Sequence, residues 1–289
     1  MRKGRNLEEA RAFYAKLMLA ASHSSDPRLE RVFELVPREA FMPPGPWKIK
    51  INVSHRYVET PSDDPVYLYQ NALVALDADK GINNGEPYLH AAWIGAVSPQ
   101  PGETVCHIGA GTGYYTAIMS VLVLPGGKVK AFELEPHLAR QARQNLKPFE
   151  NASVTVGDAT ALPIPQCDLI YVNAGVACPP PSWLQALRPD GRMIFPWRPA
   201  EEVGVALLVR RAATGFSVKP LMPSWFIPCV GASSTEGCTK VPSKREAART
   251  RSLWLTTDKA PDETATAIYR DVWFSSAELP VKPATARVM

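Results

Sequence analysis

The stretch Val105-Cys106-His107-Ile108-Gly109-Ala110-Gly111-Thr112-Gly113-Tyr114 organises everything around it. Thr104–Ile108 reads as a short buried strand, Gly109–Gly113 as a loop and Tyr115–Leu122 as a helix. Three glycines at alternate positions let the backbone turn sharply and let a ligand approach it closely. In open α/β sheets, nucleotide-like ligands bind at the carboxyl end of such a strand. Lys128–Phe132 reads as the next strand, and Glu133 ends it twenty residues past Gly113. An acidic side chain there can accept both ribose hydroxyl protons.

The alternation of strand and helix continues downstream. Pro136–Leu146 is a helix stopped by Pro148, and Ser153–Val156 and Asp168–Val172 are a third and a fourth strand. Trp183–Leu187 is a short helix, and Arg192–Pro196 and Val203–Val209 are later strands. This order predicts a parallel sheet with both faces covered. Upstream, Leu7, Ala10, Phe13, Tyr14, Leu17 and Met18 share one helical face, and Asp26-Pro27 opens a second helix. Lys48–Val53 and Tyr67–Leu76 read as strands or extended loops. Gly81–Pro87 is a turn-rich loop, and Pro87 starts a helix that buries Leu89, Ala92, Trp93, Ala96 and Val97. After Gly231 the chain turns polar. Ala232–Arg251 reads as a linker or exposed loop, Ser252–Thr256 as a strand, Ala265–Phe274 as helix or strand, and the tail from Pro280 as mobile. The expected organisation is an N-terminal helical and substrate-loop region over 1–100, a cofactor-binding domain over 101–231 and a C-terminal extension over 232–289.

Composition excludes whole classes. Of 289 residues, 46% are apolar and 21% charged, so the chain is neither fibrous nor wholly disordered. A net charge of +4 does not demand a nucleic-acid partner. No apolar run approaches about 18 residues, so neither a membrane-spanning helix nor a membrane partner is expected. The five cysteines, Cys106, Cys167, Cys178, Cys229 and Cys238, have no C-x-x-C spacing, which argues against a structural metal and against a disulfide framework. A cytoplasmic protein without a signal peptide is the expectation.

Two cofactors use the strand–loop–helix plan. The dinucleotide fingerprint is G-x-G-x-x-G, but here the third glycine comes one residue early and Tyr114 fills its place. G-x-G-x-G suits S-adenosylmethionine better, since that cofactor has no phosphate to cradle. Val156-Gly157-Asp158 ends the third strand with an acid that could bond an adenine amino group.

Taken together, the residues resemble the protein-L-isoaspartate O-methyltransferase family. Val36-Pro37-Arg38-Glu39-Ala40-Phe41-Met42-Pro43 is similar to its V-P-R-x-x-F-x-P element, and Tyr69-Gln70-Asn71-Ala72-Leu73 to its Y-x-D-x-x-L. Gly191–Pro196 resembles its G-G-R-L-V-x-P strand, and Phe226–Gly231 its F-V-P-L-x-G end. The resemblance implies an α/β, Rossmann-like class I methyltransferase fold. Its sheet would be mostly parallel and seven-stranded, with one antiparallel edge strand and helices on both faces. An N-terminal helical front piece and a C-terminal extension would flank it. It also implies S-adenosyl-L-methionine as cofactor. Gly109, Gly111 and Gly113 would line its methionine and ribose portions, Glu133 would hold the ribose, and Asp158 and Ala159 would border the adenine. His107, Ala110, Tyr114, Leu134, Gly157 and Asn173 complete the candidate cofactor set.

Departures from the pattern concern the acceptor. The family's T-I-S-x-P loop carries the serine nearest the transferred methyl, and here Asn83-Asn84-Gly85-Glu86-Pro87 stands in its place. Gly85 occupies the serine position, Glu86 adds a carboxylate, and His107 replaces the acid usual before the glycine loop. Asn84, Gly85, Glu86 and His90 are the candidate catalytic residues, with Glu86 or His90 as base if the acceptor is an amine or hydroxyl. Each has a plainer reading. Asn-Asn-Gly is a good turn, Glu86 a solvent-facing acid, and His90 and His107 are packed histidines. The expected activity is methylation of a peptide or protein carboxylate. The alternatives are a small-metabolite or modified-peptide acceptor, or a cofactor-binding module without catalysis.

Overall fold

The computed structural model of the chain describes residues 2–51 and 56–280. The expected tail after Pro280, and the stretch at Asn52 and Val53, lie outside the described residues. The chain opens with α1 (Arg2–Ala21) and α2 (Arg28–Leu35). α2 begins one residue later than anticipated, with Pro27 at its N-cap, and the Asp26 carboxylate accepts the Arg28 backbone N–H at 3.0 Å. The stretch that the sequence left open forms a small antiparallel sheet of β1 (Lys48–Lys50), β2 (Val58–Glu59), β3 (Leu73–Asp77) and β4 (Ile82–Asn83), in the order β2-β1-β3-β4. The front piece is therefore not wholly helical. α3 (Pro87–Val97) leads from this sheet into the glycine-loop strand.

The remaining elements are β5 (Thr104–Ile108), α4 (Tyr114–Leu122), β6 (Lys128–Glu133), α5 (Pro136–Asn145), β7 (Ala152–Val156), β8 (Cys167–Val172), α6 (Pro181–Ala186), β9 (Leu187–Ala200), β10 (Val203–Arg211), β11 (Phe216–Pro223), α7 (Lys244–Arg249), β12 (Ser252–Leu255), β13 (Ala265–Ile268) and β14 (Val272–Ser275). The main sheet runs β13-β14-β12-β11-β10-β9-β8-β5-β6-β7 among the described residues. β9, β8, β5, β6 and β7 are parallel. β10 runs against β9, and β11 against β10. The seven expected strands are thus β5 to β11, and the reversed one sits inside the sheet, not at its edge. The segment after Gly231 adds β12, β14 and β13 to the side of β11. Its expected loop contains α7, whose start is fixed by a capping box between Ser243 and Glu246.

Period-two alternation divides the strands between two cores. Val105, Val129, Ala131, Leu169, Tyr171 and Ile194 point toward α1 to α5. Cys106, Ile108, Phe132, Ile170, Val172, Met193 and Phe195 point the other way, toward Trp183 and Leu184 of α6 and Ala247 of α7. Near-continuous apolar strands are what a sheet covered on both faces requires.

The front piece hangs on Arg38. This side chain is fully buried, and no carboxylate pairs with it among the described residues. Its Nη1 donates to the carbonyls of Leu68 (2.5 Å) and Gln70 (3.0 Å), and its Nη2 to that of Ala72 (2.9 Å). The turn at Leu68–Ala72 has no ladder to satisfy those carbonyls, so the guanidinium does so. Arg38→Met should lower stability by about 3 kcal/mol or more, since the buried carbonyls of Leu68 and Ala72 lose their donor, while that of Gln70 keeps the Ala72 amide. Urea unfolding at matched m-value measures it, and a loss under about 1 kcal/mol would mean that water replaces the guanidinium.

Candidate functional site

A cavity of about 830 Å³ opens at the carboxyl ends of the parallel strands, roofed by the 81–90 segment on one side and the 223–230 segment on the other. The glycine loop forms its floor. Gly109, Gly111 and Gly113 have φ of +78°, +57° and +96°, left-handed conformations that side chains disfavour. Gly109 and Ala110 amides donate to the Phe132 carbonyl, which ties the loop to β6. Glu133 stands at the end of β6. It accepts from the Gly111 amide at 2.6 Å and the Glu135 amide at 2.9 Å. Burial pushes its carboxyl above the ordinary value, and the two amides pull against that. Two of its lone-pair sites are used, and the remaining ones are open to a diol.

The cavity brings together Asn84, Gly85, Glu86 and His90 with Gly109, Ala110, Gly111, Glu133, Leu134, Gly157, Asp158, Ala159 and Asn173. Three expected residues lie outside its lining. Tyr114 turns into the α1–α4 core, its hydroxyl 3.5 Å from that of Tyr14 and its ring tilted on Phe41. Its neighbour Tyr115 lines the cavity instead, because one residue along a helix rotates the side chain by about 100°. Gly113 caps α4 behind the lining. His107 sits one layer below, wholly buried. Its Nδ1 is 2.8 Å from Thr116 Oγ1, and its Nε2 is 2.9 Å from Asn173 Nδ2. Burial pushes its pKa down to about 3, so the ring is neutral. Asn173 Nδ2 then donates to Nε2, and Nδ1–H donates to Thr116. That leaves Asn173 Oδ1, buried and without a partner among the described residues, as an acceptor.

The roof is built by side chains. Asn83 Oδ1 accepts the Gly85 amide at 2.9 Å and closes the turn. Asn71 bridges to the loop, its Nδ2 donating to Glu86 Oε1 at 2.6 Å and its Oδ1 accepting the Tyr88 amide at 2.9 Å. His90, 1% exposed, stacks on Tyr115 with centroids 3.8 Å apart and holds its Nδ1 2.9 Å from Tyr171 Oη. Burial, with His107 and Arg38 adding to it, keeps its pKa well below the ordinary value. Gly85 has φ +75°, and a Cβ built on it would lie 2.2 Å from His90 Nε2. The imidazole therefore fills the volume that a side chain at position 85 would need. Tyr115, Arg198, Ser224 and Trp225 also line the cavity and escaped sequence reasoning. For Arg198 a signal existed, a lone cation ending the apolar run Met193–Trp197.

Residues 19–234 match the family described as Protein-L-isoaspartate(D-aspartate) O-methyltransferase. The chain belongs to that family. It is 29% identical to a protein-L-isoaspartate O-methyltransferase of Ignicoccus hospitalis over 78% of this chain and 99% of that one. With one from a Bradyrhizobium species it shares 30% identity over 74% and 91% of the two chains. A solved protein-L-isoaspartate O-methyltransferase superposes with a TM-score of 0.64 at 19% identity, covering 93% of this chain and 86% of its own. A putative one from Plasmodium falciparum, in complex with S-adenosyl-L-homocysteine, gives 0.60 at 16% identity over 76% and 97%. The enzyme is accordingly an S-adenosylmethionine-dependent methyltransferase with the expected α/β fold. Among the described residues no helix is long and apolar enough to cross a membrane.

The cavity floor fits that cofactor. The orphaned Asn173 Oδ1 beside Gly109 suits an ammonium, the open sites of Glu133 suit ribose hydroxyls, and Leu134, Gly157 and Ala159 offer a flat apolar slot beside Asp158. Asp158 keeps one oxygen for a ligand, since Oδ1 is taken by the Thr160 amide and hydroxyl.

His107 also makes the site sensitive to acid. Free imidazole protonates near pH 6.5, and the folded ring at about 3. Between those values the unfolded chain binds the extra proton, so stability falls as pH drops through the window. His90 acts with the same sign. Urea midpoints should decline from pH 7 to pH 4, and His107→Gln should make that decline shallower. An unchanged slope would exclude His107 as a source.

Proposed function

We propose that this enzyme methylates a carboxylate of a peptide or protein, with His90 holding the acceptor where other members use the loop serine. Gly109, Gly111, Glu133, Leu134, Asp158, Ala159 and Asn173 bind and orient the cofactor in this reading, and His107 fixes Asn173 from below. Bound S-adenosylmethionine supplies an electrophilic methyl on a sulfonium with a neutral leaving group. A carboxylate is already nucleophilic, so the chain need only align it and exclude water.

The observation that carries the reading is the overlap of His90 Nε2 with the place of a residue-85 side chain. Tyr171 stays protonated, because burial raises its pKa well above the ordinary value. No partner but His90 faces its hydroxyl among the described residues, so it donates to Nδ1. Nε2 then carries the ring's one proton and points a neutral donor at the cavity. A serine hydroxyl would offer the same. Glu86, tied to Asn71, holds the roof and is not needed as base for a carboxylate acceptor. Five unpaired thiols support a reducing, cytoplasmic setting.

Transfer of labelled methyl to matched isoaspartyl and aspartyl peptides, read as base-labile methanol, tests the reaction. Selective labelling of the isoaspartyl peptide is expected. Absence of labelling in a protein that binds S-adenosylhomocysteine would overturn the acceptor assignment.

Paired substitutions test His90. His90→Ala should cost roughly 10- to 1,000-fold in kcat/KM through loss of one donor. Gly85→Ser alone should also be poorly active, because its Cβ collides with the ring. The double variant Gly85→Ser with His90→Ala should recover activity over both singles. If the double is only as active as the worse single, His90 does not replace the serine.

A further inference from the structure

The far end of the cavity holds a guanidinium without a counter-ion. Arg198 lies near the end of β9, between Trp197 and Pro199, and is half-buried. Its Nη1 donates to the Phe226 carbonyl at 2.6 Å. Its Nε is buried without a partner, and no carboxylate pairs with it among the described residues. Other arginines of the fold are treated differently. Arg11, Arg28, Arg188 and Arg192 each face an acid, and Arg38 uses both Nη1 and Nη2 on three carbonyls, although its Nε is likewise buried without a partner. The cavity's lysines are also engaged, Lys80 with Glu135 at 2.5 Å and Lys50 over the Tyr57 ring at 5.0 Å.

Arg198 is also held rigidly. Its backbone N–H donates to the Val176 carbonyl at 2.7 Å. A Cβ at Gly175 would lie 3.0 Å from Arg198 Cδ, so the stem lies against bare backbone. Ser224 lines the same cavity, 1% exposed, with an Oγ that has no partner among the described residues. A partly desolvated cation and a buried hydroxyl, both unspent and fixed before any ligand arrives, form a receptor for an anion. Phe226 links this receptor to the acceptor position. Its carbonyl holds Arg198, and its ring centroid is 5.9 Å from that of His90.

We propose that Arg198 and Ser224 form an anion subsite beside the methyl acceptor, and that the preferred acceptor is a peptide with a second carboxylate next to the one being methylated. The proposal rests on the carboxylate-methylation reading above. The second carboxylate could come from an acidic side chain adjacent to the reacting residue or from a free C-terminus. In either case the guanidinium binds it through Nη2, the terminal nitrogen it has not used, and Ser224 adds a second donor. No bond is made or broken at this subsite.

The test uses the full chain and three isoaspartyl peptides. One has no other carboxylate, one has a neighbouring aspartate, and one ends in a free carboxylate next to the isoaspartyl residue. The second and third should show kcat/KM about 10- to 100-fold above the first, mainly through KM, since charge-assisted hydrogen bonds to a carboxylate are worth that much. Arg198→Gln should bring them down to the level of the first, and Arg198→Lys should keep part of the preference. Which of the two peptides gains more identifies the source. Equal kcat/KM for all three peptides, or an Arg198→Gln loss shared equally by all three, would overturn the subsite. Calorimetric binding of the same peptides to the enzyme saturated with S-adenosylhomocysteine separates the two readings. Arg198-dependent binding without turnover keeps the subsite and sinks the reaction. Binding indifferent to Arg198 sinks the subsite whatever the turnover.

Discussion

Three carbonyls without a ladder partner, and one arginine that reaches them all, set the geometry of the acceptor side of this enzyme. The Leu68 and Ala72 carbonyls lie beneath the surface, where unsatisfied acceptors are costly. A fully buried guanidinium is costly as well, unless its donors are used. Nη1 and Nη2 meet both needs at once, and Nε is left without a partner. The arrangement is reinforced from outside, where the Tyr69 hydroxyl receives the Arg38 amide and Arg11 and donates to Glu39. Arg11 closes the ring on Glu39 at 2.5 Å. What this lattice delivers to the site is Asn71, in the middle of the clamped turn. Asn71 holds Glu86 and the first turn of α3, and α3 carries His90.

The path from a V-P-R element to the methyl acceptor is therefore mechanical as well as evolutionary. Arg38 never touches the cavity. It fixes the turn, the turn fixes the roof, and the roof sets where the imidazole points. A substitution at Arg38 that spared overall folding would be expected to loosen the acceptor side before the cofactor side, because the floor is held by β5, β6 and the Glu133 carboxylate instead.

The glycine-loop floor of the cavity was legible because its parts are local in sequence. Gly109, Gly111 and Gly113 need left-handed backbone, and Glu133 ends the adjacent strand, so spacing alone brings them together. Local spacing misled at Tyr114, where choosing between adjacent helical residues needs the helix phase, and Tyr115 is the one that faces inward. The acceptor side was only half legible. Glu86 and His90 stood out as polar residues near a departed motif, but nothing in the linear order says that residue 90 fills the space of residue 85. That depends on α3 starting one residue after the turn, so that its first turn folds back over Gly85. Arg198 and Ser224 come from segments more than a hundred residues away and meet the cavity only through the β9–β10–β11 hairpins.

The departures from the family pattern are best understood as pairs. On the proposed reading, Gly85 and His90 exchange one donor for another. Asn71, at the position of the family's aspartate, can donate to Glu86, which an aspartate could not, so the loop acid depends on the loss of the neighbouring one. His107, in place of an acid, is neutral and accepts a hydrogen bond from Asn173. Two negative charges have gone from the walls and one has appeared, tied back at the rim. With Arg198 unneutralised, the balance of the acceptor end moves toward the positive. On the proposed reading, a field shifted in this direction favours an anion of greater charge.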